Sequence, residues 1–168
     1  MKLKEVVITA IAVAVIAVLG YVWFMPTGVK QAPNVTLHTI DGRKIQLADL
    51  RGHPVLINFW ATTCPGCVKE MPHLVNLYNE FKSRGFVLIG VAVAYDPPDQ
   101  VLRMVKDKHI PYPIALDLSN QAATAFGNIQ LIPTSFLIAP DGRIVQQKIG
   151  EINPKKMRDK IRRLLKYS

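Results

Sequence analysis

Cysteine is nearly missing from this chain, with two among 168 residues, Cys64 and Cys67. One pair cannot staple a small disulfide scaffold. The loop it would close is so short that chain-entropy reasoning gives only about 2 kcal/mol, against about 4.7 kcal/mol for a 100-residue loop. Histidine is scarce as well: His38, His53, His73 and His109 are scattered, no two at metal-ligand spacing, so zinc finds no four-ligand set. Covalent haem attachment would need His directly after the second cysteine, where Val68 stands. Acidic residues are outnumbered, 12 Asp+Glu against 21 Lys+Arg, for a net charge of +9. Seven of the bases lie between Lys155 and Lys166, but Met157, Ile161, Leu164 and Leu165 recur among them at helical spacing. That is a terminal helix burying one stripe and solvating its charges. No basic patch is interleaved with aromatics, which excludes nucleic acid as a partner, whereas weak attraction to an anionic membrane surface stays compatible. Internal repeats and low-complexity tracts are absent.

Long apolar runs are limited to one. Residues 6–25 are interrupted only by Thr9 and Gly20, and at 1.5 Å per residue they reach about 30 Å, the thickness of a bilayer's hydrocarbon core. Lys2 and Lys4 precede the run and Tyr21, Trp23 and Phe24 close it. Positive residues stay inside and aromatics sit at the interface, so an uncleaved anchor with its N-terminus in the cytoplasm is expected, and the rest of the chain lies outside. A cleaved signal peptide would have a shorter apolar stretch and small residues where Trp23, Phe24 and Met25 stand. A buried core helix, apolar all round, would need a much larger protein around it.

After this segment, residues 26–34 read as a linker with two prolines and a glycine. Residues 35–168 read as one domain. Apolar alternation on both sides of Asp41-Gly42 predicts a hairpin. Strands are expected at 54–60, 86–93, near 113–116, at 134–139 and at 143–149; helices at 65–84, 98–109, 119–126 and 154–166. Strands alternating with helices and ending in a hairpin make an α/β sandwich around a mixed sheet.

The two cysteines fall at one junction of this pattern. The apolar run Val55-Leu56-Ile57-Asn58-Phe59 leads into Trp60-Ala61-Thr62-Thr63-Cys64-Pro65-Gly66-Cys67, and a helix follows. The N–H groups of a helix's first turn lack intrahelical partners and carry a positive partial charge, so a thiol placed there ionises readily. Cys64 is therefore the expected thiolate. Pro65 suits the first helical position, Gly66 leaves the approach to sulfur open, and Cys67, one turn on, can close a disulfide with Cys64.

With Phe59-Trp60-Ala61, the Cys-x-x-Cys, Pro72 and Ile132-Pro133-Thr134 before a strand, the chain resembles the thioredoxin superfamily over about residues 35–165. Within it the chain is similar to the membrane-anchored thiol-disulfide reductases of the TlpA-like and ResA-like branch, with the cytochrome-c-maturation thioredoxins close by. The resemblance implies a thioredoxin-like three-layer sandwich with mixed β-sheet and an N-terminal β-hairpin, preceded by one transmembrane helix. It implies that residues 96–118 are an insert beside the active site, and that Pro133 belongs to a cis-proline loop facing the cysteines, with Ile132 and Thr134 around it and Trp60 as core and wall. Asn58 stands where thioredoxins proper have a buried Asp. Glu70, three residues after Cys67, matches an acidic position of this branch and takes the role of moving protons for Cys67.

The implied activity is thiol-disulfide exchange through Cys64 and Cys67, with no cofactor beyond that redox pair. The implied partners are oxidised extracytoplasmic proteins, apocytochromes c among them, and a membrane thiol transporter that supplies electrons. Three other functions share the fold. A disulfide-forming oxidase also carries Cys-Pro-x-Cys but usually with a His in the dipeptide, a thiol peroxidase wants Thr where Ala61 stands, and a copper chaperone spaces its cysteines by three residues and adds a distant His.

Overall fold

The computed structural model describes residues 13–16 and 31–166. The expected anchor at 6–25 lies outside the described residues except for 13–16, which are helical. Among the described residues no helix is long and apolar enough to cross a membrane.

Five strands form the central sheet: β3 (Val55–Trp60), β4 (Val87–Ala92), β5 (Ile114–Leu116), β6 (Thr134–Ile138) and β7 (Ile144–Ile149), in the order β5-β4-β3-β6-β7. The first three run parallel, and β6 and β7 close the sheet antiparallel, so it is mixed. Strand β3 is central and every residue of it is buried. Such a strand reads as an unbroken apolar run because both of its faces are covered. A separate hairpin pairs β1 (Thr36–His38) with β2 (Lys44–Gln46) around the Asp41-Gly42 turn, where Gly42 takes φ +81°.

The layers follow from strand periodicity. Leu56 and Trp60 of β3, Leu88 and Ala92 of β4 and Leu137 of β6 face three helices: α1 (Pro65–Phe81), α2 (Pro98–Asp107) and α4 (Pro154–Leu164). The alternate residues Ile57, Phe59, Ile89, Val91 and Phe136 face the hairpin and α3 (Gln121–Ala125). Met157 and Ile161 are the buried stripe of α4, as its helical spacing predicts.

Element ends differ from the pattern read off the sequence by one to three residues, and two of these differences have a visible cause. Helix α1 stops at Phe81, and Lys82–Arg84 tightens into a 3-10 turn before Gly85, at φ +89°, reverses the chain into β4. Helix α3 starts at Gln121 rather than 119 because Asn120 is left-handed, φ +56°. The carboxylate that caps it comes from Asp117, which accepts from the N–H groups of Ala122 (2.9 Å) and Ala123 (2.8 Å). At the chain's attachment, Gln31 bridges to Arg143 and the Ala32 N–H donates to the Gly142 carbonyl at 2.9 Å. Those two residues, part of the composition-defined linker, thus join the β6–β7 turn.

Candidate active site

Cys64 is the N-cap of α1, in extended conformation, with Pro65 at the first helical position. Its Sγ accepts the Cys67 N–H at 3.2 Å and is bonded to the Cys67 sulfur, the Cα atoms lying 5.2 Å apart. The pair is unequal. Cys64 is half-buried, whereas Cys67 is 1% exposed and packs in the helix-side core with Leu56, Trp60 and Met71. A thiolate at Cys64 would meet solvent, a free helix N-terminus and the Cys67 N–H; one at Cys67 would be shielded.

The loop before β6 faces this junction. The Ile132–Pro133 peptide is cis. A Cβ placed on Gly66 would lie 3.7 Å from Pro133 Cδ and 3.6 Å from Glu151 Oε1, so Gly66, Pro133 and Glu151 border one small gap beside the disulfide. The loop is held from both sides, by Thr134 Oγ1 donating to the Leu131 carbonyl and by the Gly150 N–H donating to the Pro133 carbonyl, each at 2.7 Å. Ile132 and Cys64 each pack, partly buried, against both cores, and the Ile132 N–H and C=O bond to no other described residue. They lie at a sheet end where an extended chain could add.

Behind Cys67 lies a polar network in an otherwise apolar core. Glu70 is 1% exposed. Its Oε1 accepts from Asn58 Nδ2 at 2.7 Å and its Oε2 from the Ile152 N–H at 3.0 Å, and the same Asn58 amide donates to Ser135 Oγ at 2.9 Å. Burial pushes the Glu70 carboxyl above the usual carboxylate range, and the hydrogen bonds from Ile152 and Asn58 only partly oppose it. The register explains the meeting: Asn58 shares the helix-facing side of β3 with Leu56 and Trp60, and Glu70 points down from α1. Trp60, 2% exposed, is core; its Nε1–H has no hydrogen-bond partner among the described residues and sits against Gly90, where a Cβ would approach it to 3.1 Å.

Sequence reading missed two participants. Asp96, 2% exposed, accepts from the Thr62 N–H at 2.7 Å and from Thr62 Oγ1, and so ties the start of the inserted segment to the loop that delivers Cys64. The sequence signal was Asp96-Pro97-Pro98, which reads as a bare turn because an acid's long-range acceptor role leaves no periodic mark. Ser135 was invisible inside a buried strand. Lys69 and Glu151, paired at 3.1 Å, add an exposed ion pair at the rim.

A sheet of this order, a cysteine pair at the start of α1 and a proline loop facing it define a thioredoxin-fold protein with an active-site disulfide. The chain belongs to the redoxin family, whose pattern it matches over residues 27–165. It is 36% identical over 136 residues to the thiol-disulfide oxidoreductase ResA of Bacillus thuringiensis subsp. konkukian, covering 80% of this chain and 77% of that protein. Among solved structures it is similar to a thiol:disulfide interchange protein of the thioredoxin family from Chlorobium tepidum, with TM-score 0.74 and 30% identity over 81% of this chain and 96% of that one. A solution structure from Neisseria meningitidis, described as a candidate thioredoxin, matches with TM-score 0.75 and 36% identity, covering 82% and 91%.

Proposed function

We infer that the chain is a thiol-disulfide oxidoreductase working as a protein-disulfide reductase, with the Cys64–Cys67 pair as its redox group. The carrying observation is the inequality of the two sulfurs, one half-open at a helix N-terminus and one buried behind it. In the reduced form the Cys64 thiolate attacks one sulfur of a client disulfide; that S–S bond breaks, a Cys64–client disulfide forms, and the displaced client thiolate takes a proton. Cys67 then loses its proton and attacks Cys64 Sγ. The second client thiol leaves, and the Cys64–Cys67 bond closes. The client has gained two electrons and two protons: both electrons come from the Cys64–Cys67 dithiol, and the protons are drawn from solvent, to which Cys64 on ionising and Cys67 through its acceptor give up theirs.

Glu70 is the proposed acceptor of the Cys67 proton. It lies one helical turn on, and its raised pKa brings it nearer a thiol's than an exposed carboxylate's would be. A groove of about 300 Å³ lined by Val93, Tyr95, Asn120, Ile129 and Ile132 runs from the proline loop, with Tyr95 and Leu131 largely exposed at its edge. An extended client segment fits there, its backbone pairing with Ile132 and its side chains against a wall of mixed character, Asn120 and Gln130 standing among Val93, Ile129 and Ile132. Clients are oxidised extracytoplasmic proteins, apocytochromes c among them. The run at 6–25 holds the domain on the outer side of the cytoplasmic membrane, where a membrane thiol transporter restores the dithiol.

Mixed-disulfide trapping tests this. Cys67→Ser should accumulate client adducts on Cys64 and Cys64→Ser none; equal adducts from both would mean the nucleophile is misassigned. A reduction potential near −270 mV suits a reductase, and one near −120 mV would turn the reading to an oxidase.

A further inference from the structure

We propose that the pole of the domain opposite the disulfide is a docking surface for anionic phospholipid headgroups, which stands the dithiol away from the bilayer. This rests on the membrane-anchor reading of residues 6–25.

The two poles follow from the sheet. Strand β3 ends at Trp60 beside Cys64, and β6 begins at that end with Thr134. The opposite end holds Val55, Val87, Ile138 and Ile144, paired across the sheet. Here the chain joins the domain, through the Gln31–Arg143 bridge and the Ala32–Gly142 hydrogen bond. If residue 25 ends the membrane segment, five residues separate it from Gln31, and those six Cα-to-Cα steps span no more than about 22 Å fully extended. The domain is roughly 35 Å across, so this short tether brings the far pole, rather than the dithiol, to the lipid.

That pole is basic. Arg51 lies over Gly142, its guanidinium carbon 2.8 Å from where a Cβ would sit, and donates to the Asp141 carbonyl. Gly52 bonds to the Pro140 carbonyl, and His53 lies against Gly85, which follows the exposed pair Lys82 and Arg84. Helix α4 runs parallel to α1 and brings Arg163 and Lys166 to the same end, as Arg162 beside Glu80 shows. The acids there are mostly engaged: Asp141 pairs with Arg143, and Glu80 with Arg158 and Arg162. Of the exposed acids around the attachment, Asp49 alone has no ion pair among the described residues. Arg51, Lys82, Arg84, Arg163 and Lys166 therefore present cations at the face the tether draws toward the bilayer. Each cation brought near an anionic surface strengthens association about fivefold. A second protein is disfavoured as occupant because a tether this short leaves little room between this pole and the headgroups.

The full chain reconstituted in lipid nanodiscs tests the proposal. Discs of phosphatidylcholine alone, or of equal parts phosphatidylcholine and phosphatidylglycerol, carry a trace of lipid with a gadolinium-chelate headgroup, and amide NMR signals report proximity. In the anionic discs, amides of residues 51–53, 82–85 and 141–143 should broaden while those of 63–67 and 131–134 do not. The contrast should fade in neutral discs and at high salt. Lys82→Glu combined with Arg84→Glu should abolish the lipid dependence and leave exchange at Cys64 unchanged, with Arg163→Glu and Lys166→Glu as an independent second pair. Broadening at 63–67 instead, or one pattern in both lipids, overturns the docking surface while the anchor stands. A chain that does not co-migrate with the discs overturns the anchor and the docking surface together.

Discussion

The two faces of the central sheet are lined by alternate residues of the same strands, and they bury different things. On the hairpin side, Phe59, Phe126 and Phe136 meet edge to face or tilted, with ring centroids 4.7 to 6.1 Å apart, among aliphatic side chains. On the helix side, which also holds Cys67, Asn58 and Ser135 of those strands bury an amide and a hydroxyl in a network with the Glu70 carboxyl of α1. Burying a carboxyl is costly, and a fold that needed only stability would place a methyl-rich side chain there. The contrast teaches that apolar packing holds both faces, and that the carboxyl proposed to take the Cys67 proton is set into the helix side.

Mutations that keep these properties apart test the contrast, and the largest effect is expected at Cys64. Cys64→Ser should reduce exchange with a dithiol reductant to background while the domain stays folded, because the lost short loop is worth only about 2 kcal/mol. On the other face Phe136→Ala should do the converse. Loss of a buried ring from a three-ring cluster costs about 3–5 kcal/mol, read by denaturant unfolding, and exchange per folded molecule should hold. A Phe136→Ala protein that is stable but inactive would break the separation of faces.

Asn58→Ala removes a buried donor shared by Glu70 and Ser135, leaving both oxygens less satisfied, and should cost about 1–3 kcal/mol. Glu70→Gln should give a pH signature instead. The folded-state pKa of Glu70 is raised, first by burial, so its contribution to stability is full below the unfolded-state value and is lost as pH rises through the folded one. Glutamine cannot ionise. Measured on the oxidised protein, the variant's stability relative to the parent should therefore climb from acid toward neutral pH, while resolution of a Cys64 mixed disulfide slows. A flat difference across that range would mean Glu70 is not held in its perturbed state.

Much of this was legible in the sequence, for identifiable reasons. The unbroken run Val55–Trp60, the proline after Cys64 and the Met157–Ile161 stripe each follow from period, cap or burial, and the elements appear within a few residues of their expected bounds. The dithiol was legible because two cysteines at a strand-to-helix junction have few bland explanations. Glu70 as a partner of Cys67 came by resemblance, and its partners did not come at all. Asn58, Ser135 and the Ile152 N–H are brought together from β3, β6 and the loop before α4, and no local pattern encodes a contact 77 or 82 residues apart. Asp117 escaped for the same reason in miniature: it caps α3 from outside the position where caps are sought.

Gly66→Ala is the smallest perturbation and sharpens the contrast most, because it changes the site from the surface rather than from either core. Gly66 lies in the first turn of α1 without a positive φ, and an added Cβ meets Glu151 and Pro133 at ordinary contact distances of 3.6 and 3.7 Å. Alanine should therefore be accommodated and, by helix propensity alone, add up to about 1 kcal/mol to stability. The same methyl group fills the gap between the helix and the proline loop that a client must enter to reach Cys64. Stability should rise slightly while exchange with a protein disulfide slows, and exchange with a small dithiol, which needs no room along the loop, should change less. Equal slowing for both substrates would place the effect on the sulfur itself and remove the proline loop from client binding.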